Sequence, residues 1–162
     1  MRCGFLDTVM PFISNLGNSG FIWILTAVVL LITKKYRLTG LAMLIAMLMG
    51  LLIGNLTLKL LIARIRPCDV NTAVELLIPR PKDYFFPSGH TLSSFAAAAA
   101  IFCGNKRIGI FALIFAAIMA FSRLYLYVHY PSDILAGIII GVALGIFAHK
   151  ITNIIKNKKN AR

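Results

Sequence analysis

Five stretches of this chain run for thirteen or more residues without a charged side chain, and a basic residue follows each. They are Leu16–Thr33, Leu38–Leu58, Thr91–Cys103, Ile108–Phe121 and Ile134–Ala148. Extended by a turn or two, each approaches the ~20 residues that cross a bilayer as a helix. Helices are the economical solution there, because a helix satisfies its own backbone hydrogen bonds in lipid. At 59% hydrophobic residues over 162 positions, the chain is too apolar for an ordinary soluble domain. The predicted fold is all-α: one integral-membrane domain over 1–162, a polytopic transmembrane helical bundle of five spans over 16–151. Residues 152–162 form a basic cytoplasmic tail. Residues 1–15 are interrupted by Arg2, Asp7, Pro11, Ser14 and Asn15, with Leu6, Val9, Met10 and Ile13 at helical spacing. That pattern predicts a short interfacial helix.

Charge sets the orientation. With five spans, one side holds Lys34, Lys35, Arg37, Lys106, Arg107, Lys150, Lys156, Lys158, Lys159 and Arg162. The other holds all five acids, Asp7, Asp69, Glu75, Asp83 and Asp133. By the positive-inside rule the first side is cytoplasmic, so the chain is a multi-pass cell-membrane protein whose N-terminus lies outside. The net charge of +12 is thus a matter of topology. A nucleic-acid binder carries its bases on a polar surface, whereas here they punctuate apolar runs, so no nucleic-acid partner is expected.

Smaller features have bland readings. Trp23, Tyr84, Phe85, Phe86, Tyr125, Tyr127 and Tyr130 fall toward the outer ends of spans, as an interfacial belt would. Gly137, Gly141 and Gly145 permit close helix packing, inside the bundle rather than at a homodimer face. Ala96–Ala100 is a packing surface. Residues 64–90, broken by Pro67, Pro79, Pro81 and Pro87, form a loop. Cys3, Cys68 and Cys103 match no zinc pattern and read as incidental, a Cys3–Cys68 disulfide being the minor alternative. No cleavable signal peptide is evident. His149, beside Lys150 at a helix C-terminus, reads as structural.

Three polar clusters remain, all toward the outer face: Lys59-x6-Arg66-Pro67, Pro87-Ser88-Gly89-His90, and Ser122-Arg123-x5-His129-x3-Asp133. Charged groups at membrane depth are costly and default to functional suspects. Arg123 lies sixteen residues beyond Arg107, or about 24 Å of helix against a hydrocarbon core of about 30 Å. His90 stands at the same remove from Lys106. Lys59 and Arg66 are two turns apart and share a face if their helix continues. Three cations from separate places can surround a phosphoryl group. Two histidines can divide nucleophilic attack and leaving-group protonation. A carboxylate four residues past His129 can fix its tautomer, and Ser88 and Gly89 precede a helix N-terminus suited to an anion.

These clusters, in order and internal spacing, resemble the three-part motif of the type-2 phosphatidic acid phosphatase superfamily. Its members include undecaprenyl-diphosphate and phosphatidylglycerophosphate phosphatases, and it shares its site with vanadium haloperoxidases. The resemblance spans residues 59–133 and implies His129 as a nucleophile forming a phosphohistidine, oriented by Asp133. It implies His90 as general acid, and Lys59, Arg66, Ser88, Gly89 and Arg123 as phosphate ligands. The implied chemistry uses no metal and no cofactor. Many relatives have six spans, which leaves the side of substrate entry open. The implied activity is hydrolysis of a lipid phosphate or diphosphate at the extracytoplasmic face, with undecaprenyl diphosphate the first choice of substrate. Phosphatidylglycerophosphate or phosphatidic acid comes next, then lipid-to-lipid phosphotransfer. A reading of another class is a small anion transporter or channel, which would pass anions without releasing phosphate.

Overall fold

The computed structural model describes residues 3–62, 64–81 and 86–160. Arg2, Asp83, Tyr84, Phe85 and Arg162, named above, lie outside them. The described residues form helices and loops. Helix α1 (Gly4–Leu16) leads through a short 3-10 turn (Asn18–Gly20) into α2 (Phe21–Ile32). Helix α3 (Arg37–Gly50) continues as a π-helical stretch over Leu51–Leu58, then as α4 (Lys59–Ile62). A single turn, α5 (Pro67–Val70), sits in the following loop, and α6 (Gly89–Gly104), α7 (Lys106–Tyr125) and α8 (Pro131–Asn160) complete the bundle.

Helix α6 is the axle. Ala96, Ala97, Ala98, Ala99, Ala100 and Ile101 are all buried, because α3, α7 and α8 pack around it. Small side chains let these helices approach closely where lipid supplies little hydrophobic drive. The glycine repeat of α8 faces the same helix. A Cβ on Gly137 would lie 3.1 Å from the Ser88 carbonyl oxygen, one on Gly141 2.6 Å from that of Leu92, and one on Gly145 2.5 Å from that of Ala96. The repeat is therefore used inside the bundle.

Three segments among the described residues are long and apolar enough to cross a membrane: Lys34–Val70, Lys106–Tyr125 and Pro131–Lys158. Helix α1 with 18–32 makes a fourth if the pair, bent by 50°, is one span. The five expected spans differ from this count for a physical reason. Helix α6 has 16 residues, about 24 Å, and its neighbours sheathe it, so it need be neither long nor uniformly apolar. Helix α2 has 12 residues and is short on its own.

Three expectations are corrected. Trp23 is no belt residue: it is buried, donates from Nε1 to Ser94 Oγ at 2.8 Å and meets Phe115 edge-on. The tail expected over 152–162 is not separate, because α8 runs unbroken to Asn160 and buries Thr152. No proline or glycine interrupts it there. The helix carrying Lys59 does not continue to Arg66, whose backbone is extended ahead of Pro67.

Candidate active site

Each cluster sits where a helix begins or ends, and this is how a bundle can carry polar groups to one face. Ser88 is the N-cap of α6, where its buried hydroxyl accepts from the Thr91 N–H and the Thr91 hydroxyl. Gly89 and His90 then open the helix on its first turn. Arg123 lies in the last turn of α7, and His129 follows in the loop before α8. Asp133 occupies the first turn of α8, behind Pro131. A carboxylate suits a helix N-terminus and a cation a C-terminus.

These side chains meet at one cavity of about 1010 Å³. Lys59, Arg66, Gly89, His90, Arg123 and His129 all line it. Ser88 and Asp133 stand just behind the wall. Arg66, Arg123, His129 and Asp133 are each at most 5% exposed, so their charges and dipoles face a site with little bulk water. Interactions of this kind are stronger than in open solvent. Apolar side chains line the same cavity: Ile24 from α2, and Leu44, Met47, Leu48 and Leu51 from α3 and its π-helical extension. Ile24, Leu48 and Leu51 are exposed on the outside of the bundle. Polar and apolar walls therefore share one space that borders the lipid-facing surface.

Arg66 donates to the Val128 carbonyl at 2.9 Å and so pins the loop that carries His129. The Asp133 carboxylate is gripped twice. One oxygen accepts from Arg64 at 3.0 Å and the other from the Tyr130 N–H at 2.6 Å. The second oxygen lies 3.7 Å from His129 Nδ1. That is longer than a hydrogen bond, but it turns Nδ1 toward the carboxylate and leaves Nε2 as the other reactive nitrogen. His129 lies in the loop, outside the helical spans. Burial pushes its pKa down to about 4, with Asp133 opposing and Arg123 and Arg66 reinforcing the shift. A neutral imidazole with a free lone pair is the form that can attack phosphorus.

Sequence reasoning missed four participants. The Ser14 hydroxyl accepts from Arg123, and the Asn18 amide oxygen lies 3.1 Å from His90 Nε2. Arg64 pairs with Asp133 and lies 4.5 Å above the Tyr130 ring. Arg80, paired with Asp69, lines the cavity. Ser14 was visible only as an interruption of an apolar pattern, and nothing in the sequence set Asn18, Arg64 or Arg80 apart. The three cysteines are free, with Cys68 buried.

Comparison with known proteins finds relatives over most of the chain. The profile of the PAP2 superfamily matches residues 39–156. An undecaprenyl-diphosphatase from Sulfolobus acidocaldarius is 34% identical over 137 residues, covering 84% of this chain and 66% of that protein. The undecaprenyl-diphosphatase BcrC from Bacillus subtilis is 30% identical, covering 93% of this chain and 77% of its own. A solved transmembrane PAP2 type phosphatidylglycerolphosphate phosphatase from Bacillus subtilis superposes with a TM-score of 0.75 at 26% identity, over 96% of this chain and 80% of that one.

Proposed function

The chain belongs to the PAP2 superfamily, and from that premise we propose that it is a multi-pass membrane lipid phosphatase acting on undecaprenyl diphosphate. One observation carries the reading: two histidines and three buried or half-buried cations line a cavity that apolar side chains of α2 and α3 also line. A polar head with an apolar tail fits such a space. The names of the two relatives favour the polyprenyl diphosphate.

In this reading His129 Nε2 bonds to the terminal phosphorus as the bridging P–O bond breaks. The departing oxygen takes a proton from His90. A water molecule then attacks the phosphohistidine, His90 takes a proton back, and inorganic phosphate leaves. Lys59, Arg66 and Arg123 surround the equatorial oxygens, where charge is spread during transfer. The α6 N-terminus at Gly89 adds backbone N–H donors. Asp133 holds the His129 ring and stabilises its charge as the bond forms. Five spans, with this site at the extracytoplasmic face of the cell membrane, complete the proposal. The segregation of acids from cytoplasmic cations supports it.

Phosphatidylglycerophosphate is the second reading, supported by the solved neighbour. Purified protein is offered undecaprenyl diphosphate, phosphatidylglycerophosphate and phosphatidate in one detergent, and phosphate release is measured. The highest kcat/KM is expected for undecaprenyl diphosphate. A preference for phosphatidylglycerophosphate would transfer the assignment. Anion flux in proteoliposomes without phosphate release from any of the three would make the protein a transporter.

A further inference from the structure

The family profile begins at residue 39, yet the cavity wall includes Ser14 and Asn18, well ahead of it. We propose that Asn18 is a positioning residue for His90, holding the general acid's proton on Nε2 until the leaving oxygen arrives. The inference rests on the phosphatase reading and on His90 as its acid.

The hydrogen-bond chain fixes the direction. The Asn18 amide nitrogen donates to Asn15 Oδ1 at 2.7 Å. Its oxygen is thereby left to face His90 Nε2, at 3.1 Å. An amide oxygen only accepts, so Nε2 must be the nitrogen that carries the hydrogen. The ring is held from the side as well: a Cβ on Gly17 would lie 2.7 Å from His90 Cδ2. The backbone turns sharply to arrange this. Ser19 and Gly20 both take the left-handed conformation, at φ 53° and 70°, which a side chain at position 19 adopts only under local constraint. Asn18 thus sits on a short, fixed turn against the imidazole.

Protonation matters when the leaving group is a poor one. An alkoxide or phosphate oxygen needs a proton as the P–O bond breaks, whereas a phenoxide leaves largely unaided. A group that presents the proton should therefore be needed for one and not for the other, and a merely structural residue should matter equally for both.

The test uses full-length protein and two phosphate monoesters of equal tail length, an alkyl phosphate and a para-alkylphenyl phosphate. In kcat/KM, His90→Ala should lose about a hundredfold on the alkyl ester and far less on the aryl ester. Asn18→Leu should lose about tenfold on the alkyl ester and under about twofold on the aryl ester, as a fraction of the general-acid effect. Asn18→Asp, which keeps an acceptor oxygen at the same place, should recover most of the loss. If Asn18→Leu does not fold, Asn15→Ala, which releases the amide from its orientation, should show the same alkyl-selective loss. Equal losses on both esters, or none, in the folded variant would overturn the role of Asn18. A flat His90→Ala response would instead overturn the assignment of His90 as acid, and the inference with it.

Discussion

Arg123 and Asp133 are charges inside a bundle, and each is tolerable because its partners are built in. Asp133 is fully buried yet accepts from Arg64 and from the Tyr130 backbone. The oxygen that accepts from Tyr130 lies 3.7 Å from His129 Nδ1. His129→Ala removes the proposed nucleophile and should lower kcat more than about a thousandfold while the protein still folds. An alkaline denaturing quench of wild type with labelled substrate should trap a phosphoprotein that is stable to base and labile to acid; turnover by the variant at the wild-type rate would exclude the role. Asp133→Asn should be impaired less, by about a hundredfold, since an amide can contact the ring without stabilising its cation. Wild-type kcat/KM for that variant would show that the carboxylate has no such part. At this scale the sequence was legible where chemistry forces residue type. Cations, histidines and a carboxylate are conspicuous among Leu, Ile and Ala. Ser14, Asn18 and Arg64 were not legible, because hydroxyl, amide and interfacial cation are common at helix ends and only the fold brings them to His90, Arg123 and Asp133.

Between helices, the α6–α8 contact governs the site, since α6 begins at Gly89-His90 and α8 at Pro131 with Asp133 in its first turn. A Cβ at Gly141 would press on backbone, the Leu92 carbonyl oxygen at 2.6 Å and the Ala96 nitrogen at 3.0 Å. Gly141→Ala should therefore force the two helices apart, at about 1–3 kcal/mol of stability. Thermal unfolding in detergent should fall relative to wild type, with activity reduced in parallel. Gly4→Ala, which meets nothing within 4 Å, is the control. An unchanged melting temperature for Gly141→Ala would mean that the helices are looser than drawn. The glycine spacing announced close packing, and its partner was the alanine run, two sequence signals that belong to one contact. Helix lengths were harder to read. The π-helical stretch over Leu51–Leu58 has no sequence mark of its own, and the sheathing of α6 depends on neighbours far along the chain.

For the whole molecule, two predictions follow from where the cavity lies. In a background lacking the native cysteines, a cysteine at Glu75 should react with a membrane-impermeant reagent in intact cells, and one at Asn105 should not. The reverse pattern would invert the topology. The second concerns reach. Leu44, Met47, Leu48 and Leu51 line the same cavity as the cations and histidines. Each buried methylene contributes about 0.8 kcal/mol, so kcat/KM should rise with tail length for one head group in nanodiscs. A soluble monoester hydrolysed as efficiently as the long-chain lipid would refute a lipid-fed site. The proposed orientation rests on charge alone: in the five-span reading all five acids fall on one side, away from the cations taken as cytoplasmic. The 50° bend between α1 and the stretch 18–32 was not readable in the sequence.

That bend also bears on how the protein is made. Ser14 and its partner Arg123 are separated by 109 positions. At synthesis rates of about 5–20 residues per second, the first helix waits roughly 5–20 s for the arginine it must meet. Asp7 and the backbone of Cys3 wait as long for Tyr125. A nascent chain inserted up to α6 already carries His90 but not His129, the proposed nucleophile. The proposed site is therefore complete only once α7 and α8 close on α1.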